Sequence, residues 1–260
     1  MIKKVNKRIE KMKEETTQEI KDFCKDIGIT EEQFFGKEEI EGSLWLGELT
    51  SIPEGFNPKI SDSLFLSSLS TIPQGFNPIV GGSLFLSGLS TIPEGFNPVV
   101  GESLSLVRLT SISKGFNPVV GYNLWLSELT SIPKGFNPKV GGNLMLNSIT
   151  STPEGFSPAV GESLWMEGLT SISEGFNPVV GGNLHLEGLT SITEGFNPIV
   201  GENLLLSGLT SISKDFNPKV GRNLHLESLD IIPEWFKPKV GSWILLKDTN
   251  IYVGAEVAEF

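Results

Sequence analysis

The sequence predicts a mainly β protein, a right-handed parallel β-solenoid with a helical cap at its N-terminal end. Three observations carry that expectation. A 20-residue unit repeats ten times from Ser43 to Ser242 without an inserted or deleted residue. Within each unit the apolar residues read Leu-x-Leu, then spaced aliphatics, then a phenylalanine. Residues 1–42 lack this pattern and carry a helical stripe instead. A fixed period of this length means stacked coils, because one unit cannot bury its apolar edge alone. The chain therefore divides into 1–42, a helical cap or oligomerisation segment; 43–242, ten coils; and 243–260, a C-terminal β cap.

In the first segment Ile2, Val5, Ile9, Met12, Ile20, Phe23 and Ile27 recur at steps of three and four, with Thr16 filling the gap. That is the period of one helix face. Gly28 is placed to end the helix. A second, short helix is expected from Thr30, with Thr30 and Gln33 forming a capping box and Gly36 closing it. Phe34 and Phe35 then cover the first coil. The stripe has two readings: a cap lying on the open end of the solenoid, or a short coiled coil through which residues 1–27 form a homo-oligomer.

One coil, Val80 to Val100, stands for all. Leu84 and Leu86 flank Phe85, so a strand turns the leucines inward and Phe85 outward. Leu89, Ile92, Phe96 and Val100 complete the inward set. Gly95-Phe96-Asn97-Pro98 is a turn, since proline restricts the residue before it to extended conformations. Gly101 makes the second corner. Stacked at about 4.8 Å per coil, the units form a parallel sheet on a body roughly 48 Å long. Phe56, Phe76, Phe96 and their equivalents to Phe236 make one aromatic column in the core. The last coil departs from the pattern as a capping repeat does: Asp230, Ile231, Trp235 and Lys237 replace the usual residues. Trp243 to Leu246 and Ile251 to Val253 are expected to pair as strands over the open end, which would otherwise present an unpaired edge.

The stretch Leu84-Phe85-Leu86-Ser87-Gly88-Leu89-Ser90-Thr91-Ile92-Pro93 resembles a leucine-rich repeat, and Leu189 to Phe196 is similar to the treponemal-type bacterial form of it. Units of the Gly-Gly-Ser-Leu-x-Leu kind also resemble repeat proteins of gut bacteria and their phages. The likeness covers residues 43–242. It implies a solenoid whose residue between the two leucines faces a ligand. One departure matters: the asparagine expected after Leu-x-Leu is Leu49, Leu89 or Leu129 here, and asparagine sits in the turn column instead (Asn57, Asn77, Asn97). A coil closed as in a β-helix, rather than a horseshoe, is the expected consequence.

The outward column reads Trp45, Phe65, Phe85, Ser105, Trp125, Met145, Trp165, His185, Leu205, His225. It varies while its flanking positions stay nearly constant. Seven of its ten members are large and apolar, which on the face opposite the core suggests a contact surface. Trp45, Phe65, Phe85, Trp125, Met145, Trp165, His185 and His225 are the candidate binding residues. His185 and His225, with Glu187 and Glu227 near them, invite a metal. Two coils separate the histidines, about 9.6 Å, too far for one zinc ion with bonds of about 2.0–2.1 Å. Both are read as surface histidines, and no metal is expected. Glu167 and Glu187 face each other from adjacent coils without an evident pocket. Adjacent Thr/Ser pairs such as Thr110-Ser111 are read as hydroxyls satisfying the backbone at a bend rather than as an ice-binding face.

Composition narrows the function. The formal charge of −11 disfavours nucleic acid as a partner. Cys24 is the single cysteine, so neither an internal disulfide nor a thiolate cluster is expected. No apolar run approaches the roughly 18 residues of a membrane span. The N-terminal residues lack the apolar core of a signal peptide. The expectation is a cytoplasmic protein or a virion component that does not engage membrane. No coil carries a longer loop, and no phosphate-binding glycine loop, metal-ligand spacing or nucleophile–base pair appears, so catalytic residues and cofactors are both read as none. The sequence favours a non-catalytic scaffold for another protein, with a glycan partner or a structural particle role as alternatives.

Overall fold

The computed structural model describes residues 17–247 and 250–252; Ile2, Val5, Ile9 and Met12 of the helical stripe, and Val253, lie outside them. Residues 17–27 are helical (α1) and Glu31–Phe34 form one short turn of helix (α2). Gly28 and Gly36 both take positive φ, at 75° and 68°. The Gln33 N–H donates to the Thr30 hydroxyl at 3.1 Å, and the Thr30 N–H donates to Gln33 Oε1 at 3.0 Å. Two of the N–H groups that a helix start leaves free are thus satisfied reciprocally. Phe23 and Phe34 pack on Phe56, with centroids 5.4 and 5.3 Å away, and begin the core. Phe35 is largely exposed, so the covering falls to Phe23 and Phe34. Among the described residues no helix is long and apolar enough to cross a membrane.

The repeat folds as a parallel β-solenoid with two sheets, where the repeat pattern predicts one. The first sheet has 11 strands, running from Glu39–Ile40 through Lys59–Ile60 and Ile79–Val80 to Lys239–Val240. The second has 12, running from Leu44–Trp45 through Leu64–Phe65 to Leu224–His225, then Trp243–Leu245 and Asn250–Tyr252. The overlooked sheet follows the turn. Pro98 and Val100 are buried and Val99 is exposed, a period of two in only three residues, too short to stand out as a strand. Its first rung, Glu39–Ile40, lies in the segment before Ser43.

Each repeat position stacks on the same position of the next coil, as Leu84 on Leu104 and Val80 on Val100 show. In the Val80–Val100 coil Leu84, Leu86 and Leu89 are sealed and Ile92, Phe96 and Val100 nearly so, while Ile112, Ile192, Ile212 and Ile232 in the isoleucine column are partly buried. The phenylalanine column from Phe56 to Phe236 is continuous, with centroids 5.6–6.2 Å apart. That spacing exceeds the rise per coil, so the rings stack offset, the arrangement their quadrupoles favour.

Two side-chain ladders close the coils. In the turn column the Asn97 N–H donates to Asn77 Oδ1, and the Asn97 amide donates to the Gly115 carbonyl at 3.0 Å. Ser157 replaces asparagine and keeps the rung, accepting from the Asn177 N–H at 3.1 Å. The second ladder occupies the residue before Leu-x-Leu. The Ser83 N–H donates to Ser63 Oγ, Asn143 to Asn123 Oδ1, Ser163 to Asn143 Oδ1, and so on to Trp243 on Asn223 Oδ1, at 2.9–3.3 Å. Asparagine thus still binds backbone here, but on positions displaced from those of the leucine-rich repeat. The threonine hydroxyls of Thr110, Thr130, Thr170 and Thr210 donate to the carbonyl one coil back, in keeping with the bend reading. At the far end Trp243–Leu245 continues the parallel ladder and pairs antiparallel with Asn250–Tyr252, while Ile244 enters the core.

Candidate functional site

The second sheet presents the variable column in unbroken register. Trp45 pairs with Phe65, Phe65 with Phe85, Trp125 with Met145, Met145 with Trp165, and Trp165 with His185. Alternation places every member on the outer face, because the flanking leucines fill the interior. Solvent exposure is uneven, and here the expectation of an open aromatic face needs correcting. Trp45 is 72% exposed; Phe65, Phe85, Trp125, Met145, Trp165 and His225 are half-buried; His185 is only 9% exposed. The cause is stacking. Strands one coil apart hold flat side chains close to ring-contact distance, so inner members show edges rather than faces. Trp45 lies on Phe65 at 3.7 Å between centroids and 5° between planes, Phe65 on Phe85 at 4.7 Å, and Trp165 on His185 at 3.7 Å. The result is a rigid aromatic ridge in the first coils and a mixed polar ridge in the later ones.

The later ridge is where the structure departs most from the sequence reading. His185 is a buried residue, not a surface one, held against the Trp165 indole. Its Nδ1 stands 3.0 Å from Glu187 Oε1, and His225 repeats the pairing with Glu227 at 2.9 Å. Trp165 Nε1, His185 Nε2 and one carboxylate oxygen each of Glu187 and Glu227 are buried without a hydrogen-bond partner among the described residues. Glu167 reaches into the same place from the coil before: one donor atom from each of Glu167, His185 and Glu187 lies within 4.8 Å of the other two. These three could hold a metal ion. The two histidines remain in different coils with Leu205 between them, so they do not form a pair.

A second outward column went unnoticed in the sequence. On the first sheet Ile79, Val99, Val119 and Val179 are each about half exposed, at 49–51%. Lys59, Lys139, Lys219 and Lys239 occupy the same column. The signal was present as the residue between Pro98 and Val100 and its equivalents. A shallow groove beside it is lined by Val119, Asn137, Lys139, Ser157 and Ala159.

No family model, curated protein or solved structure matches the chain. What the repeat geometry establishes is the architecture itself, a parallel β-solenoid of about ten 20-residue coils.

Proposed function

We propose that the protein is a non-catalytic scaffold that binds another protein along the variable column of its second sheet. The observation that supports this most is the register of that column. Ten positions share one backbone conformation and one direction, and differ only in side chain. An invariant frame with one varied position is suited to reading a partner. The Trp45, Phe65 and Phe85 stack supplies anchors whose conformational freedom is already lost before binding, so little further ordering opposes association. Aromatic anchors of this kind carry much of the energy in protein interfaces.

The test is affinity capture with the full chain, followed by titration of each captured protein against variants. Trp45→Ala and Trp125→Ala are each expected to weaken a genuine partner by about 2 kcal/mol, read as a Kd roughly 30-fold higher. Trp45 is the cleaner probe, since its exposure leaves the fold little to lose. Unchanged affinity in both variants would overturn the protein-binding reading. Signals on a glycan array that disappear in Trp45→Ala would replace it with sugar stacking on the same rings.

A further inference from the structure

We propose that Glu167, His185 and Glu187 form a site for one divalent first-row transition-metal ion. The inference is independent of the protein partner proposed above. His185 ends the strand Leu184–His185 and Glu187 opens the turn that follows it; Glu167 stands in the column of Glu187, one coil earlier. Donor atoms of all three lie within 4.8 Å of one another. Twice a metal–ligand bond of about 2.0–2.2 Å is about 4.4 Å, so a small rotation of the exposed Glu167 side chain brings the three onto one centre. The 3.0 Å between His185 Nδ1 and Glu187 Oε1 is also the separation of two ligands whose bonds of about 2.1 Å meet near 90°.

Burial gives a separate argument. His185 is 9% exposed, and its Nε2 and Glu187 Oε2 are sealed from solvent with no hydrogen-bond partner among the described residues. Buried polar atoms are ordinarily satisfied, and Glu187 Oε2 gains a partner if the carboxylate binds the ion through both oxygens, whereas Nε2, on the other side of the ring from Nδ1, lies outside the site. Electrostatics points the same way. Glu167 and Glu187 put like charges in the same turn position of adjacent coils, where they repel unless a cation lies between them. The Trp165 ring, 3.7 Å from the imidazole and 8° from parallel, fixes the orientation of His185 in advance. One imidazole and two carboxylates suit zinc, cobalt, nickel or manganese better than calcium or magnesium, which take oxygen alone. Three protein ligands leave further positions for water or a second molecule.

The chain carries its own control. His225 and Glu227 repeat the pairing at 2.9 Å, but Ser207 stands where that pair would need the equivalent of Glu167. One ion per chain is therefore expected, not two.

The experiment uses the untagged full chain, stripped with chelator and titrated by calorimetry with Zn²⁺ alone and with Co²⁺ alone, the latter also followed by its visible absorption. Saturable binding of one equivalent is expected. Glu167→Ser, which reproduces the surroundings of His225 on an exposed side chain, should raise Kd at least tenfold. His185→Gln should do the same, and His225→Gln should leave Kd within twofold. Circular dichroism establishes that each variant is folded. Failure of both ions to bind at one equivalent, retention of binding in Glu167→Ser, or equal affinity for Ca²⁺ would overturn the site.

Discussion

Gly141 lies at a corner where two coils approach closely. A Cβ added there would meet the Gly121 carbonyl oxygen at 2.1 Å, and the same collision recurs at Gly101, Gly161, Gly181 and Gly201. The corner glycine is thus demanded by the stacking distance rather than by its own dihedral angles. Gly141→Ala is expected to destabilise the fold by about 2 kcal/mol, measured by denaturant unfolding. Gly47→Ala, with no atom near the added carbon, should be neutral by comparison. At this scale the sequence was a good guide to inward residues: Leu84, Leu86, Leu89, Ile92, Phe96 and Val100 are all buried. It was a poor guide to His185. Alternation fixed the direction of that side chain, but its burial depends on the Trp165 ring lying flat on it at 3.7 Å, a packing distance that repeat position does not give.

The ladder of serine and asparagine before Leu-x-Leu explains an element-level feature that looked like drift in the repeat. Serine stands there in the first four coils and asparagine in most of the rest, yet both supply an oxygen to the N–H of the next coil. What the position requires is an acceptor, not a particular residue. Asn143→Ser should therefore be nearly silent, although it gives up the amide bond to Glu162 Oε2 at 2.7 Å. Asn143→Val, which leaves the Ser163 N–H unsatisfied, should cost about 1–3 kcal/mol. Thermal melts of the two variants side by side check the contrast. The ladder and the first sheet are hard to see in the sequence for related reasons. A two-residue strand such as Val99–Val100 offers too little alternation to register, and a Ser/Asn column reads as turn chemistry until the neighbouring coil is placed beside it.

For the whole molecule, the consequence of an uninterrupted period is that coils are interchangeable. Each bonds only to its two neighbours, so stability accrues coil by coil. Deleting residues 121–140 joins Val120 to Gly141 and sets Leu104 against Leu144 in the register that Leu124 now occupies. The shortened chain is expected to fold and to melt at a slightly lower temperature, whereas deleting residues 121–130 should prevent cooperative melting. Calorimetry of the two deletions distinguishes them. Solenoid class and the paired strands at the C-terminal end could be read from the repeat and from the places where it fails. The pairs His185–Glu187 and Glu167–Glu187 could be read as well, but not that one donor atom from each of the three lies within 4.8 Å of the others, which depends on side-chain positions that the repeat does not give.

The same uniformity has a cost for recognition. Along its axis the body is a lattice, and a visitor that gripped only main-chain groups or constant side chains would find equivalent seats about 4.8 Å apart and no preferred address. It could step from one seat to the next with little change in energy. Trp45 at one end, Ser105 in the run of rings, and the Glu167–His185–Glu187 group further along are marks that break this translational degeneracy, and they would set where on the rod such a visitor came to rest.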